Sequence, residues 1–158
     1  MSSPDEVAAY RLVKKKWARN AFDGEGAKRY GGRFNSKGRP CVYLAGSESL
    51  AILEVMVHLD DYQLLDHYAL FRLALPLNSV LQLDGATLPS DWREDPAPAD
   101  TARLGDDWLS SGASLALAVP STVVIRETNY LLNPAHPDFE RVVSQAEPLS
   151  FTADARLR

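Results

Sequence analysis

At 158 residues, 46% of them apolar and 24% charged, the chain has the composition of one globular domain able to bury its own core. Its net charge of −4 argues against a general nucleic-acid binder, and no apolar run approaches the about 20 residues that a membrane-spanning helix needs. The single cysteine, Cys41, excludes an internal disulfide and fits a reducing, cytoplasmic setting.

The polar opening Met1–Glu6 has no apolar stretch behind it, so no signal peptide is expected. Charge is unevenly spread. Residues 1–40 hold ten Lys/Arg against four acids, a net of +6, and the remainder carries −10. A basic segment on an acidic protein marks where an anionic ligand is to be sought, although a solvated basic face has the same composition.

Met1–Asp5 reads as a loose end and Val7–Val13 as a first strand, rich in β-formers around Tyr10. Residues 23–40 carry Gly24, Gly26, Gly31, Gly32 and Gly38 and read as a turn-rich loop with a short strand at Arg33–Phe34. Cys41–Ala45 reads as a buried strand closed by Gly46. Ser47 then suits the N-cap of a helix running to about Leu59. Ala69–Leu75 alternates as a strand, Pro89–Ala99 is a Pro/Asp-rich loop, and Thr101–Ser111 is a helix stopped by Gly112. Leu115–Val119 and Thr122–Ile125 read as strands around Pro120–Ser121. Asn129–Leu132, a short helix from Pro137 and a strand near Leu149–Phe151 follow. No repeats appear. Scattered helices among dominant strands predict a single α+β domain over 1–158, its core at about 8–152, with a mixed or antiparallel sheet rather than a doubly wound one.

Glu54 is the most informative residue. The helix around it is apolar almost all round, so it is expected to be buried on most faces. A carboxylate in its middle must be paired, neutralised or aimed into a cavity. Pairing with an arginine, or an edge position that reaches water, is the structural alternative to a catalytic role. Arg11 inside a strand is costly unless its planar fork meets an anion or an acid. In Tyr30-Gly31-Gly32-Arg33-Phe34-Asn35 two glycines admit close backbone approach to a ligand, or simply make a hairpin. The stretch is neither a P-loop nor a dinucleotide fingerprint. Tyr43 on a buried strand is either core or a ring that stacks a flat ligand. Ser121 lies outside any GxSxG elbow, so it starts a turn or orients a substrate rather than acting as a nucleophile. His58, His67, His136 and Cys41 show no metal-ligand spacing, and no metal is expected. His58, one turn past Glu54, is placed to tune it or to end the helix.

Taken in order, Arg11, Gly31–Gly38, Val42-Tyr43-Leu44-Ala45, Ser49–Val55, Val119-Pro120-Ser121 and Asn129–Pro137 resemble the RES-domain family, named for an Arg, a Glu and a Ser. The resemblance runs from about Tyr10 to Phe151. Phe34 stands where the family often carries tryptophan, and residues 85–112 match least. The resemblance implies a split mixed sheet similar to that of ADP-ribosyltransferase toxins. It also implies the toxin half of a bacterial toxin–antitoxin pair, acting in the cytoplasm as an NAD+ glycohydrolase or phosphorylase. It implies catalytic roles for Arg33, Glu54 and Ser121 and substrate binding by Arg11, Tyr43, Tyr30 and Asn129, with Arg11 and Arg33 both open as the namesake arginine. NAD+ is then a substrate and no cofactor is bound. The implied partner is an Xre-type helix-turn-helix antitoxin, with room for a homodimer inside that complex and with no direct nucleic-acid or membrane contact. Two rival readings stay open: a protein ADP-ribosyltransferase toxin, and a non-catalytic module that binds an antitoxin or a nucleotide.

Overall fold

The computed structural model describes residues 5–157, so the loose end expected at Met1–Asp5 lies outside the described residues except for Asp5. Among the described residues seven strands form one sheet: β1 (Glu6–Lys14), β2 (Val42–Ala45), β3 (Tyr68–Pro76), β4 (Val80–Gln82), β5 (Ala116–Pro120), β6 (Thr128–Leu132) and β7 (Glu147–Leu149). Their order is β4-β5-β6-β2-β1-β3-β7. Only β4 and β5 run parallel. The chain between them makes the long crossover that parallel neighbours require, and it contains helix α3 (Ala99–Ser111). The other helices are α1 (Glu25–Tyr30), α2 (Glu48–Met56) and α4 (Phe139–Val143). This is the mixed-sheet α+β architecture expected from the strand and helix pattern. No helix among the described residues is long and apolar enough to cross a membrane.

The sheet has two unequal halves. β1 and β3 share a nine-pair ladder from Glu6 opposite Pro76 to Lys14 opposite Tyr68. β2, β6 and β5 form the other ladder. The halves meet where β1 joins β2 through one pair, Tyr10 opposite Ala45. Period-two alternation then fixes the faces. Val7, Ala9, Val42, Leu44, Leu73, Leu75, Ala116 and Leu132 pack with Phe139 and Val142 of α4 on one face. On the other, Leu12, Ala45 and Leu70 lie under Leu50 and Ala51 of α2. Further along that face Leu117, Val119 and Leu131 lie under Trp108 and Leu109 of α3. Each buried leucine contributes on the order of 1.5–3 kcal/mol.

Several expectations need correction. The loop at 23–40 contains a helix, α1, bracketed by Gly24 and Gly31, both at φ above +70°. Arg33–Phe34 is the tip of a tight turn closed by a Gly32–Asn35 bridge, not a strand. Thr122–Ile125 is also not a strand, because the Ser121 hydroxyl accepts the Val123 and Val124 amides and curls this β-branched run into a turn. α2 stops at Met56 rather than Leu59, and it is not buried on most faces: Leu50 and Ala51 are, while Leu53 and Val57 face solvent. Lying on the sheet rather than inside a bundle, it has one covered side. The last strand falls two residues early, at Glu147–Leu149. α3 ends as expected at Gly112, in the left-handed region.

Candidate active site

Ser47 caps α2 by accepting the Leu50 amide at 3.1 Å. Two turns on, Glu54 leans over the face that carries Ala45 of β2 and Asn129 of β6, which are paired across the ladder. One carboxylate oxygen, Oε1, accepts two hydrogen bonds: Ser121 Oγ at 2.6 Å and Asn129 Nδ2 at 2.9 Å. The partners are neutral donors, so the arginine ion pair expected as the structural alternative is not what holds Glu54. Oε2 takes no hydrogen bond from the described residues.

Ser121 is fully buried. Its one proton goes to Glu54, and its lone pairs accept Val123 N at 3.0 Å and Val124 N at 3.1 Å. Every hydrogen-bonding site of the hydroxyl is therefore occupied. This side chain orients a carboxylate and a turn and has nothing left for nucleophilic attack. Asn129 is less fully used: its Oδ1 is buried without a partner among the described residues.

A second set of residues builds the Arg33 turn. Arg33 Nη1 donates to Trp92 O at 2.8 Å and Glu94 O at 2.9 Å. Both its hydrogens are consumed there, while the Nε/Nη2 edge makes no hydrogen bond to the described residues. That edge is the one that meets two oxygens of a phosphate side-on. Beneath the turn, Asn35 donates to Ala27 O, Ser36 O and Arg39 O and accepts the Tyr43 hydroxyl at 2.6 Å. Tyr43 Oη in turn accepts Phe34 N at 3.0 Å. Gly32 is required here, because a Cβ would come within 2.7 Å of both Asn35 Oδ1 and Tyr43 Oη. Burial raises the Tyr43 phenol well above its ordinary range. From α3, Asp106 accepts Ser36 N and Ser36 Oγ, and Gly105 sits so close to Phe34 O that a Cβ would collide with it.

Arg11 is placed differently. Tyr10 faces Ala45, so Arg11 leaves β1 on the opposite side of the sheet from the Tyr43 ring. Its guanidinium donates to Ala21 O and, at 2.8 Å, to Tyr43 O, tying the split between β1 and β2. Desolvation brings it down to about 10, partly offset by Asp23 and Cys41, so it remains a cation at neutral pH. Tyr30, at the end of α1, is 72% exposed and makes no side-chain hydrogen bond with the described residues. His58 is exposed.

The structure thus joins Glu54, Ser121 and Asn129 directly. Tyr43, on the same sheet face, lies one pleat along from Ala45, about 7 Å, and reaches the Arg33 turn. Arg11 and Tyr30 stand apart from that cluster. Sequence reasoning gave no role to Asn35, Gly105, Asp106 or Arg93. Asn35 carried a signal in hindsight, since an amide beside Gly-Gly can satisfy a turn's carbonyls. The others are brought in by tertiary contacts across about 30–70 residues of chain.

The RES domain family model matches residues 8–154. The chain is 44% identical over 149 residues to Toxin Res of Yersinia enterocolitica, covering 94% of this chain and 98% of that protein. It is 41% identical over 120 residues to the Prs ADP-ribosylating toxin of Sphingobium sp., covering 74% of each. Among solved structures its fold is similar to one in the crystal structure of the M. tuberculosis MbcT–MbcA toxin–antitoxin complex. There the TM-score is 0.70 at 21% identity, over 92% of this chain and 85% of that one.

Proposed function

The chain belongs to the RES domain family, and from that membership we propose that it is the toxin of a toxin–antitoxin pair and cleaves the nicotinamide–ribose bond of NAD+. The observation that carries the chemistry is Glu54, held by Ser121 and Asn129 at one oxygen with the other left open.

In the reaction the C1′–N bond breaks with its electron pair passing to the pyridinium nitrogen, and nicotinamide leaves neutral. Positive charge develops on C1′ and the ring oxygen, as in glycoside hydrolysis. Glu54 Oε2 is the group available to take the ribose hydroxyls and face that charge. Preorganised stabilisation of this kind is worth roughly two to three powers of ten in rate. The free edge of Arg33 suits the pyrophosphate, and the Tyr43 ring suits the nicotinamide cation. An oxygen of water or phosphate then bonds to C1′, and water releases its proton to solvent. NAD+ enters as substrate, and no bound cofactor is invoked.

The toxin–antitoxin complex of similar fold supports a partner protein that neutralises the toxin, for which an Xre-type helix-turn-helix antitoxin is our assignment, and the NAD+ reading assigns its action to the cytoplasm. Transfer of ADP-ribose to a protein is the second reading, favoured by the ADP-ribosylating relative. It uses the same bond cleavage with a different acceptor.

The test is NAD+ loss by purified protein with and without phosphate, beside Glu54→Gln, with products separated by chromatography. ADP-ribose identifies water as acceptor and its 1″-phosphate identifies phosphate. Equal turnover by Glu54→Gln would remove the Glu54 role. No loss in either buffer, with label transferred from NAD+ to lysate proteins, would establish the second reading.

A further inference from the structure

The Pro/Asp-rich segment around residues 89–99 makes bonds to both ends of the site. Its carbonyls at Trp92 and Glu94 hold Arg33. The side chain between them, Arg93, goes the other way: Nε at 3.2 Å and Nη2 at 2.9 Å both donate to Thr122 O. Thr122 follows Ser121 directly and opens the turn that Ser121 Oγ closes from inside. The segment is not loose at its middle, because Trp92 N bonds Pro89 O and Glu94 N bonds Asp91 O. It is rooted at both sides. Leu88 packs against the cluster of Leu117, Val119 and Trp108, and Thr101, fully buried at the start of α3, bonds Pro98 O.

We propose that residues 91–95 form a strap fixing the separation between Arg33 and the Ser121 turn, with Arg93 as its positioning residue. The inference rests on the NAD+ reading for its catalytic consequence, but not for its mechanical one. A ligand with phosphate at Arg33 and ribose at Glu54 must span both ends at once. A tie between those ends sets where C1′ falls relative to the carboxylate, and small misplacements at a reacting centre are costly in rate. Arg93 does this from outside the site: its two hydrogen bonds go to one main-chain carbonyl, and neither involves Glu54, Ser121 Oγ or Arg33.

The experiment compares wild type, Arg33→Ala, Arg93→Ala and Arg93→Lys by amide hydrogen exchange at Val123 and Val124, alongside NAD+ kinetics. Both amides bond the Ser121 hydroxyl, so they report the turn. In Arg93→Ala their exchange is expected to rise about tenfold, with kcat lowered by about tenfold and KM within about twofold. Arg93→Lys, which still offers a donor to Thr122 O, restores both readouts. Arg33→Ala speeds the same two amides from the far end of the strap, which a purely local Arg93–Thr122 bond would not do. Wild-type exchange at Val123 and Val124 in Arg33→Ala, or an Arg93→Ala effect confined to KM, overturns the strap. If wild type consumes no NAD+ yet the amides respond as expected, the strap stands and the NAD+ reading falls.

Discussion

Ser121 donates its hydroxyl to Glu54 Oε1 at 2.6 Å across 67 residues of chain, and Ser121 Oγ accepts two amides of its own turn. Ser121→Ala therefore loses more than a donor. Two main-chain amides lose their acceptor and one carboxylate oxygen loses one of its two donors, around a hydroxyl that is itself fully buried. Each such group costs about 1–3 kcal/mol. The melting temperature should fall by about 2–4 °C for each kcal/mol lost in a chain of this size, and NAD+ turnover should fall with it. A thermal melt superimposable on wild type would contradict the account of Ser121 as a fully used hydroxyl.

Asn129→Ala separates position from stability. Asn129 shares Glu54 Oε1 with Ser121, but its own Oδ1 is already buried without a partner among the described residues. Removing the amide deletes that unfavourable group together with the favourable one, so the melting temperature should move less than in Ser121→Ala while turnover still drops. Because both donors hold one oxygen, the double variant should lose less activity than the two single losses combined. Strict additivity in that cycle would mean that the two side chains act at different places.

The outline of this candidate site was suggested by residues that break local rules. A carboxylate among the apolar residues Leu50–Leu59 and a Gly-Gly-Arg turn both stand out in the sequence, and both belong to the candidate site, although Glu54 is half-buried on a helix with one covered side rather than enclosed. What stayed hidden was the compensation. Nothing local distinguishes Gly105 from an ordinary weak point in a helix, yet it is where α3 touches Phe34. Thr122–Ile125 has the composition of a strand, and one buried hydroxyl converts it to a turn. Arg11 reads as an anion binder, yet its guanidinium donates to the carbonyls of Ala21 and Tyr43, a partner type that composition does not announce.

Tyr43→Phe tests whether the phenol or the ring matters. The ring that would stack nicotinamide is kept. The hydroxyl joining Asn35 Oδ1 to Phe34 N is lost, which loosens the turn under Arg33 at a cost of about 1–3 kcal/mol. A higher KM for NAD+ with a lower melting temperature is the expected pair of changes. A fall in kcat alone, at unchanged stability, would instead place the hydroxyl in the chemistry.

Gly105→Ala ordinarily favours a helix by up to about 1 kcal/mol. Here the added methyl meets Phe34 O and Phe34 Cβ, main chain that cannot move without shifting Asn35 and Arg33. Overpacking of this kind costs about 1–3 kcal/mol, so the sign should reverse and the variant should melt below wild type. Melting above wild type would show that α3 does not press on the turn.

Alkaline stability has a window in which the Cys41 thiol leads. Burial raises its thiol from 9.0 to about 12, with Arg11 opposing the shift. Between those values the folded protein keeps a proton that the unfolded chain has released. The stabilisation is complete below pH 9 and is lost as pH rises toward 12. Tyr43, raised above its ordinary 10, acts in the same direction at higher pH. Arg11, lowered from 12.5 to about 10, acts oppositely: above pH 10 the unfolded chain holds the extra proton, and this group adds stability as pH rises. From pH 9 to 10 the thiol is the leading contribution, and unfolding free energy from urea melts should fall, by less than the about 1.4 kcal/mol per pH unit of one full proton, because the unfolded thiol is only half-ionised at pH 9 and Arg11 opposes it near pH 10. Cys41→Ala should be less stable at neutral pH, because it leaves a small cavity beside Trp108 and Leu117, but its slope from pH 9 to 10 should be nearly flat. An unchanged slope in that variant would assign the alkaline loss to another group and would mean that the Cys41 thiol meets solvent more readily than its 2% exposure implies.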